Sequence, residues 1–489
     1  MGLLGIVMGL GLLAWLSYRG WSVLVLAPAG ALVAAAFSGE PLLAHWTLTF
    51  MTAAAGFMAQ FFPLFLLGAI FGKLMDDSGA VQGIARWMTE TLGTERAMLA
   101  VVLAGALVTY GGVSLFVAFF VLAPMAQAVF RAADLPQRLM PAAIALGTST
   151  FTMTALPGTP AIQNAIPMPF FGTTGFAAPG LGLIAAAVML STGMWWLARA
   201  QKIARLAGEG YRPGSRPQAT ADDPLVRERG STATHFDPAE AAPRGASRPA
   251  PPANNELPGI VVSMAPLVVV VLVNLLCSLW LLPRLDTSYL AEARFGSISL
   301  IHMGGVWSVL LALAAGILTL LALQRPRLAS PKASIDAGAN AAVLPVLSVA
   351  SLVGFGAVVA ALPAFASVRD WVLGLGGGPL VSLALSTNIL AALTGSASGG
   401  LTIALDALGA TYLQLAQQTG LDPALLHRVA VIGAGTLDSL PHNGAVVSLL
   451  AVCGCTHRDS YLDIVMVGVI GPIIALVAVI ALGSHFGSF

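Results

Sequence analysis

The chain has 489 residues, of which 57% are hydrophobic and only 9% are charged, and its formal net charge is +1. Soluble globular domains carry roughly 25% charged residues, so this composition excludes a protein that covers its whole surface with polar groups. The small net charge also argues against a nucleic acid or a strongly acidic molecule as a partner.

Long apolar runs recur from one end of the chain to the other. Residues 22–37, 61–74, 260–282 and 464–482 are examples. A helix needs roughly 20 apolar residues to cross the hydrocarbon core of a lipid bilayer, and the sequence therefore predicts an all-α polytopic membrane protein with about 12 spans. The run that starts at Gly2 has neither a basic segment before it nor a cleavage site, which indicates a retained span and not a signal peptide.

A polar stretch interrupts the apolar pattern at residues 200–257, where prolines and charged residues accumulate. Such a stretch cannot bury enough apolar surface to order itself. We therefore expect an N-terminal membrane half at 1–199, a disordered linker at 200–257 and a C-terminal membrane half at 258–489. Basic residues at the end of the preceding run indicate a cytoplasmic linker in a bacterial inner-membrane protein. These residues are Arg199, Lys202 and Arg205.

The two membrane halves contain a similar order of elements. A glycine-rich stretch at 109–114 precedes an apolar segment and a Leu156-Pro157 pair, and a second stretch at 394–400 precedes a Leu440-Pro441 pair. Gly147 and Gly433 occupy equivalent positions before the two proline pairs. This pattern predicts two inverted repeats, each with a re-entrant hairpin and a broken helix, since matching interruptions in two halves are typical of transporter binding sites.

Each proline pair predicts a break in a membrane helix. Thr159 followed by Pro160 is typical of an N-cap and a first helical turn, and Asn443 is a possible N-cap in the second half. A new helix start presents unpaired N–H groups and a partial positive charge, which suit a carboxylate. Ordinary proline kinks of membrane helices are the alternative interpretation.

Ionisable residues stand in apolar surroundings in the second half. Asp406 and Asp438 are carboxylates of this kind, and His442 titrates near neutral pH even without perturbation. Any of the three could carry a coupling proton. Asp438 could instead cap a helix end beside Ser439, and Asp406 could lie where its helix meets water.

The sequence predicts neither an enzyme nor a cofactor. Its three cysteines are Cys277, Cys453 and Cys455, and no metal-ligand spacing accompanies them, so we expect no metal site. No metalloprotease motif is present, and no paired aspartates are expected on facing spans.

The chain resembles the gluconate permease (GntP) family of the ion transporter superfamily. The resemblance rests on residues 72–80 (GKLMDDSGA), 154–164 (TALPGTPAIQN) and 437–444 (LDSLPHNG). It implies proton symport of gluconate or related hydroxy acids, a fold of two inverted repeats with re-entrant hairpins, and a homodimer with a scaffold and a moving part. The chain is similar to the branch for short hydroxy acids such as 3-hydroxybutyrate. Because neither break contains Lys or Arg, we expect a monocarboxylate and not citrate.

The resulting hypothesis is a proton-coupled symporter for a small hydroxy-monocarboxylate, whose partners are that anion, the proton and the lipid bilayer. Asp438, His442 or Asp406 would carry the proton. Sodium coupling, a di- or tricarboxylate substrate, or a passive anion channel are the alternatives. The residues expected to surround the anion are Thr159, Gln163 and Asn164 from one hairpin and Ser439, His442 and Asn443 from the other, with Ser396 and Ser398 as further candidates.

Overall fold

The computed structural model describes residues 1–18, 21–113, 115–212, 257–295, 297–374, 377–441 and 443–489. Within these ranges the chain forms α-helices with short 3-10 and π segments, and it contains no strand. The predicted all-α class is confirmed. His442 and residues 213–256 of the predicted linker lie outside the described ranges.

The first half is a series of long helices followed by several short ones. In chain order they are α1 (Gly2–Tyr18), α2 (Val23–Ser38), α3 (Leu42–Asp77), α4 (Ala80–Leu92), α5 (Ala97–Tyr110), α6 (Leu115–Ala132), α7 (Met140–Thr148), α8 (Phe151–Thr154), α9 (Ile162–Ala165), α10 (Pro167–Phe171) and α11 (Pro179–Leu206).

The second half begins and ends with long apolar helices. They are α12 (Ile260–Arg284), α13 (Leu300–Arg327), α14 (Pro331–Ala361), α15 (Phe365–Leu373), α16 (Gly378–Thr394), α17 (Ala397–Thr419), α18 (Pro423–Thr436), α19 (Gly444–Val452) and α20 (His457–Phe486). Helix α14 comprises two segments joined at Ala342.

Length and apolar composition qualify six of the described helices as membrane spans: α3, α11, α12, α13, α14 and α20. Helices α4 and α5 make a seventh if they are counted as one span bent by 108°. Several shorter helices, including α2 and α16, are apolar over 10–17 residues. The predicted count of about 12 spans is therefore not confirmed, because the apolar runs of the sequence include the short halves of broken and folded-back helices.

Two apolar cores hold the helices together. The smaller core combines α1, α2, the first part of α3 and α14. The larger core contains buried apolar residues of α5, α7, α16 and α18, and Leu156 of the first proline pair packs against it. Helices α3 and α14 also pack on each other, and α11 packs on α20.

Helix α11 continues to Leu206, so its last residues overlap the start of the predicted linker at residue 200. The residues after it contact the segment that precedes α7. Arg138 donates hydrogen bonds to the Glu209 carboxylate at 2.8 and 3.1 Å and to Asp463 of α20 at 3.0 Å. The backbone N–H of Tyr211 donates to Asp134 Oδ1 at 2.8 Å. The division of the chain into two halves and a linker stays a prediction.

Equivalent helices of the two halves pack in the same way. Helix α5 packs on α6 and α7, and its counterpart α16 packs on α17 and α18. Gly147 of α7 lies against the backbone of α5 at Val102, and Gly433 of α18 lies against α16 at Thr387 and Ala384. The absence of a side chain at both glycines lets the two backbones approach closely.

We predict that Gly147→Ala destabilises the protein by about 1–3 kcal/mol, since the new methyl group would overlap the Val102 carbonyl oxygen and force α5 away from α7. The thermal denaturation midpoint of the detergent-solubilised protein is the measurement. Gly56→Ala in α3 is the matched control, because a methyl group there meets no atom within 4 Å. An unchanged midpoint for Gly147→Ala would show that the helices can separate freely at this position.

Candidate substrate site at two broken helices

The first break separates α8, which ends at Thr154, from α9, which begins at Ile162. Gly158 has a positive φ of 77°, a conformation that glycine adopts without strain. Its N–H donates to the Gly175 carbonyl at 2.8 Å, and its carbonyl accepts from Asn274 Nδ2 at 3.0 Å. The Tyr110 hydroxyl at the end of α5 donates to the Pro157 carbonyl at 2.8 Å. Neighbouring elements therefore satisfy the interrupted backbone, as membrane burial requires.

Thr159, Gln163 and Asn164 are all fully or almost fully buried at this break. Asn164 Nδ2 donates to the carbonyls of Thr159 at 3.0 Å and Gly175 at 3.1 Å. Because both partners are acceptors, Asn164 Oδ1 must point the other way, toward His427 Nε2 at 3.2 Å. The structure therefore brings the three predicted residues of the first half together.

His427 links the first break to α18 of the second half. Since Asn164 Oδ1 can only accept, His427 Nε2 carries a hydrogen, and Nδ1 pairs with the Thr173 hydroxyl at 2.6 Å. The ring is completely buried. A neutral His427 thus satisfies both of its nitrogens and fixes the orientation of Asn164.

Arg428 places a positive charge beside the same break. Its side chain is fully buried, and its guanidinium donates to the Ala177 carbonyl at 2.6 and 3.1 Å and to the Thr154 carbonyl at 3.3 Å. Among the residues that the structure describes, no carboxylate pairs with it. A buried charge without a counter-ion is costly, so this site favours an anion.

The second break separates α18, which ends at Thr436, from α19, which begins at Gly444. Asn443 Oδ1 accepts from the N–H groups of Ala445 at 2.7 Å and Val446 at 3.4 Å. Its Nδ2 donates to Asp438 Oδ1 at 2.7 Å and to the Gly395 carbonyl at 2.8 Å. Asn443 is therefore the N-cap of α19 and also joins the break to the turn between α16 and α17.

The predicted serines lie close to this second break, but they make different contacts. Ser396 caps α17 by accepting from the Gly399 N–H at 3.0 Å, and its hydroxyl is 3.3 Å from that of Ser398. Ser439 is buried, and its carbonyl accepts from the Tyr461 hydroxyl at 3.2 Å. Asp438, Asn443 and Ser396 thus stand around one turn of the chain.

Asp406 is in a different environment from Asp438. It lies at an exposed position of α17 and makes no hydrogen bond or ion pair with any residue described. The proton role of Asp406 and its alternative, a helix end at the water boundary, both stay predictions. The role predicted for His442 concerns a residue outside the described ranges.

One detail of the predicted site differs in the structure. The hairpins are the helix pairs α5–α6 and α16–α17, whose turns contain Gly112 at φ 97° and Gly395 at φ 64°, whereas the proline pairs interrupt single helices. At the restart of the second half, Asn443 accepts hydrogen bonds from N–H groups of α19. The binding of an anion by the helix starts stays a prediction, and Arg428 adds a full positive charge beside the first break.

The halves interlock around the two breaks. Helices α9 and α10, which follow the first break, pack against α17 and α18, while α19, which follows the second break, packs against α6. Each restarted helix therefore lies on the second hairpin helix of the other half. A movement of one hairpin would alter the surroundings of both breaks.

A cavity of about 90 Å³ adjoins the first break, and Gln163 is among its lining residues. A larger cavity of about 410 Å³ is lined by residues 171–174, 176–179, 422–424 and 488–489 and contains none of the predicted site residues. The smaller cavity is therefore the one that relates to the predicted chemistry.

His427, Arg428 and Tyr110 were not predicted as site residues. The sequence carries a signal for the first two, since a histidine and an arginine interrupt the apolar run at 425–434. An intramembrane ionisable pair is by default a functional candidate. Tyr110 has no comparable signal, because tyrosines are frequent at the ends of membrane helices.

Broken helices, paired hairpins and several helices long enough to span a membrane are features of transporters. The sequence matches the description "GntP family permease" over residues 2–175. It is also 40% identical, over the whole of both chains, to "Uncharacterized transporter YxjC" of Bacillus subtilis (strain 168). The chain belongs to the GntP family of permeases.

Two solved structures have a similar fold. The MtrF protein of Neisseria gonorrhoeae, described within a class of antimetabolite efflux pumps, is similar with a TM-score of 0.51 over 91% of this chain and 85% of its own, at 13% identity. The YdaH transporter of Alcanivorax borkumensis, described as having an unusual topology, gives 0.50 over 92% and 91%, at 15% identity. These likenesses concern the fold alone.

Proposed function

We propose that this permease takes up a small hydroxy-monocarboxylate together with a proton, and that the anion binds between the two broken helices. The observation that carries this proposal is Arg428, a fully buried cation that pairs with backbone carbonyls only, among the residues described. A guanidinium can donate five hydrogen bonds, and these carbonyls occupy three of them.

The charge balance favours a substrate with one negative charge. The electrostatic cost of Arg428 in a low-dielectric interior falls when an anion binds nearby. A tricarboxylate bound beside Arg428 would leave an excess of negative charge in the interior, unless further cations or several protons entered with it. One buried guanidinium at the first break therefore supports a monocarboxylate.

Asp438 is the proposed proton carrier. It is half-buried beside the second break and holds Asn443, which in turn holds the Gly395 turn. Protonation of its Oδ1 would weaken the hydrogen bond from Asn443 Nδ2. A proton at Asp438 would thus loosen the link between the second break and its hairpin.

We expect Asp438→Asn to abolish substrate accumulation driven by a pH gradient, because Asn binds no proton in this range, while exchange of labelled for unlabelled substrate continues. Uptake and counterflow in proteoliposomes measure the two activities. Asp370→Asn, at an exposed residue paired with Arg369, is the control and should behave as wild type. Accumulation at the wild-type level in Asp438→Asn would remove Asp438 from the proton pathway.

The coupling ion is tested with the wild-type protein. Uptake should follow an inward proton gradient in sodium-free buffer and stop when a protonophore collapses that gradient. Uptake that persists after collapse and needs sodium would replace proton coupling by sodium coupling. Uptake that needs neither gradient would indicate a passive channel.

We propose a multi-pass protein of the bacterial inner membrane, with the linker at 200–257 on the cytoplasmic side and two copies forming a dimer. Arg199, Lys202 and Arg205 near the end of α11 support this orientation. The separate core of α1, α2 and α14 supports a scaffold distinct from the hairpins.

A further inference from the structure

Asn274 is a completely buried amide near the midpoint of α12, within a run that is otherwise apolar from Ala265 to Cys277. Polar side chains at membrane depth are costly and rare, so they need partners and indicate a specific contact or a function. Neither the anion nor the proton requires this residue directly. Its contacts therefore have to explain why it is there.

The partners of Asn274 fix the orientation of its amide. Nδ2 donates to the Gly158 carbonyl of the first break at 3.0 Å, and Oδ1 lies 3.3 Å from the Ser278 hydroxyl. If the amide were rotated, Oδ1 would face the carbonyl oxygen and two acceptors would meet, so Nδ2 is the atom at Gly158. The Ser278 hydroxyl is also 2.9 Å from that of Ser308 in α13, which extends the polar contact to the neighbouring helix.

Gly158 connects Asn274 to the residues beside the buried arginine. The Gly158 N–H donates to the Gly175 carbonyl at 2.8 Å, and the same carbonyl accepts from Asn164 Nδ2 at 3.1 Å. Both backbone groups of Gly158 are thus engaged, one by α12 and the other by Gly175. A displacement of Gly158 from α12 would therefore disturb the carbonyl that holds Asn164.

Helix α13 packs closely on the segment that contains Gly175. It contacts α10, and a methyl group at Gly305 would lie 2.6 Å from the Thr173 carbonyl oxygen. A methyl group at Gly172 would lie 2.5 Å from Ile301 Cγ2. Such close approaches hold the surfaces together without specifying a direction, whereas the hydrogen bond from α12 to the break does specify one.

We propose that Asn274 is a positioning residue for transport, which holds the first break on α12 in the arrangement that binds the anion. This inference rests on the proposed function. A transporter alternates between arrangements that differ little in free energy, so one buried hydrogen bond changes their populations. When the binding arrangement is less populated, the apparent dissociation constant rises by the same factor, and saturating substrate restores that arrangement.

Saturation kinetics of 3-hydroxybutyrate and gluconate uptake into proteoliposomes test this role. Asn274→Leu keeps much of the volume but removes the donor, and it should raise the half-saturation concentration about tenfold while the maximal rate stays within about twofold of wild type. A merely structural role predicts the reverse, because fewer folded molecules lower the maximal rate and leave the half-saturation concentration unchanged. Asn274→Gln retains an amide donor and should recover most of the wild-type value.

Gln324→Met is the matched control for loss of a buried amide. Gln324 of α13 is completely buried, and its Nε2 donates to the Val262 carbonyl near the start of α12 at 2.8 Å. It therefore makes the same kind of contact between helices, but not with the break. Its replacement should leave the half-saturation concentration unchanged.

A milder variant keeps the test decisive if Asn274→Leu does not fold. Ser278→Ala removes only the hydroxyl that faces Asn274 Oδ1, so the amide is held less firmly toward Gly158. The half-saturation concentration should rise about threefold, in the same direction as for Asn274→Leu.

Hydrogen–deuterium exchange of the purified protein without substrate supplies a readout that does not depend on the transported molecule. Peptides that contain Gly158 should exchange about tenfold faster in Asn274→Leu than in wild type, because the break leaves α12 more often. Peptides from α16, and all peptides around the break in Gln324→Met, should exchange as in wild type.

The outcomes separate this inference from the proposed function. A wild-type half-saturation concentration in Asn274→Leu, or wild-type exchange of peptides that contain Gly158, would overturn the positioning role of Asn274. Failure of the wild type to take up either acid would instead count against the proposed function, and the exchange experiment would still decide the role of Asn274.

Discussion

Uptake should fall by roughly 30-fold or more in Arg428→Met, because removing one member of a buried charge pair, here the proposed pair of Arg428 and the anion, costs about 2–5 kcal/mol. Met fills much of the volume but carries neither the charge nor the donors. The anion would then enter an interior with no compensating cation among the residues described. Initial uptake rates in proteoliposomes, corrected for the amount of reconstituted protein, are the measurement.

Folding and binding can be separated for this variant. Arg428→Met removes an uncompensated charge but leaves the Ala177 and Thr154 carbonyls without this donor, so its thermal stability changes for reasons unrelated to the anion. The increase in denaturation midpoint on adding substrate is the specific readout, and it should vanish in the variant.

Two further arginine variants complete this test. Arg428→Lys keeps the charge but cannot bridge both carbonyls, and it should retain part of the uptake. Arg369→Met, at an exposed arginine, should leave uptake unchanged. Wild-type uptake and wild-type substrate-induced stabilisation in Arg428→Met would contradict the anion site proposed beside the first break.

Asn443→Asp should reduce uptake by roughly 10- to 100-fold while preserving the N-cap of α19, because Asp is as good a cap as Asn. The loss of uptake arises at the Nδ2 end of the Asn443 amide. In the wild type, Nδ2 donates to Asp438 Oδ1 at 2.7 Å and to the Gly395 carbonyl. In Asn443→Asp, a carboxylate oxygen takes the place of Nδ2 and repels the Asp438 carboxylate.

The double variant Asn443→Asp with Asp438→Asn separates repulsion from loss of the Gly395 contact. It restores one donor and one acceptor between the two positions, so exchange of labelled for unlabelled substrate should recover relative to Asn443→Asp alone. Ser22→Ala, which removes the N-cap of α2 far from the breaks, controls for capping and should leave uptake unchanged. Exchange as low in the double variant as in Asn443→Asp would show that the Gly395 contact, and not repulsion, is decisive.

The breaks themselves could be predicted from the sequence. Pro157, Gly158 and Pro441 disrupt the local backbone wherever the surrounding chain lies, and the helices end at Thr154 and Thr436 as that chemistry demands. The sequence repeat between the two halves has a related cause. Gly147 and Gly433 each lie where one helix packs closely on another, so both positions need the smallest residue.

The roles of the side chains around the breaks could not be derived in this way. Gln163 and Asn164 are adjacent polar residues in the sequence, yet Asn164 donates to two carbonyls, whereas the Oε1 of Gln163 is buried without a donor among the residues described. Likewise Asp406 and Asp438 have similar apolar surroundings in sequence, but Asp406 lies at an exposed position of α17, whereas Asp438 accepts a hydrogen bond from Asn443 at the second break.

By itself the sequence determined the membrane class, the helical composition and the positions of the two breaks, because these follow from local hydrophobicity and from the backbone chemistry of proline and glycine. Only the tertiary structure decided which charge stands beside the first break. Arg428 is 267 residues from Ala161 in the chain, and it reaches Thr154 and Ala177 because α18 packs across the halves. Contacts between residues so far apart in the chain depend on the simultaneous packing of many helices. No local pattern of residues encodes that packing.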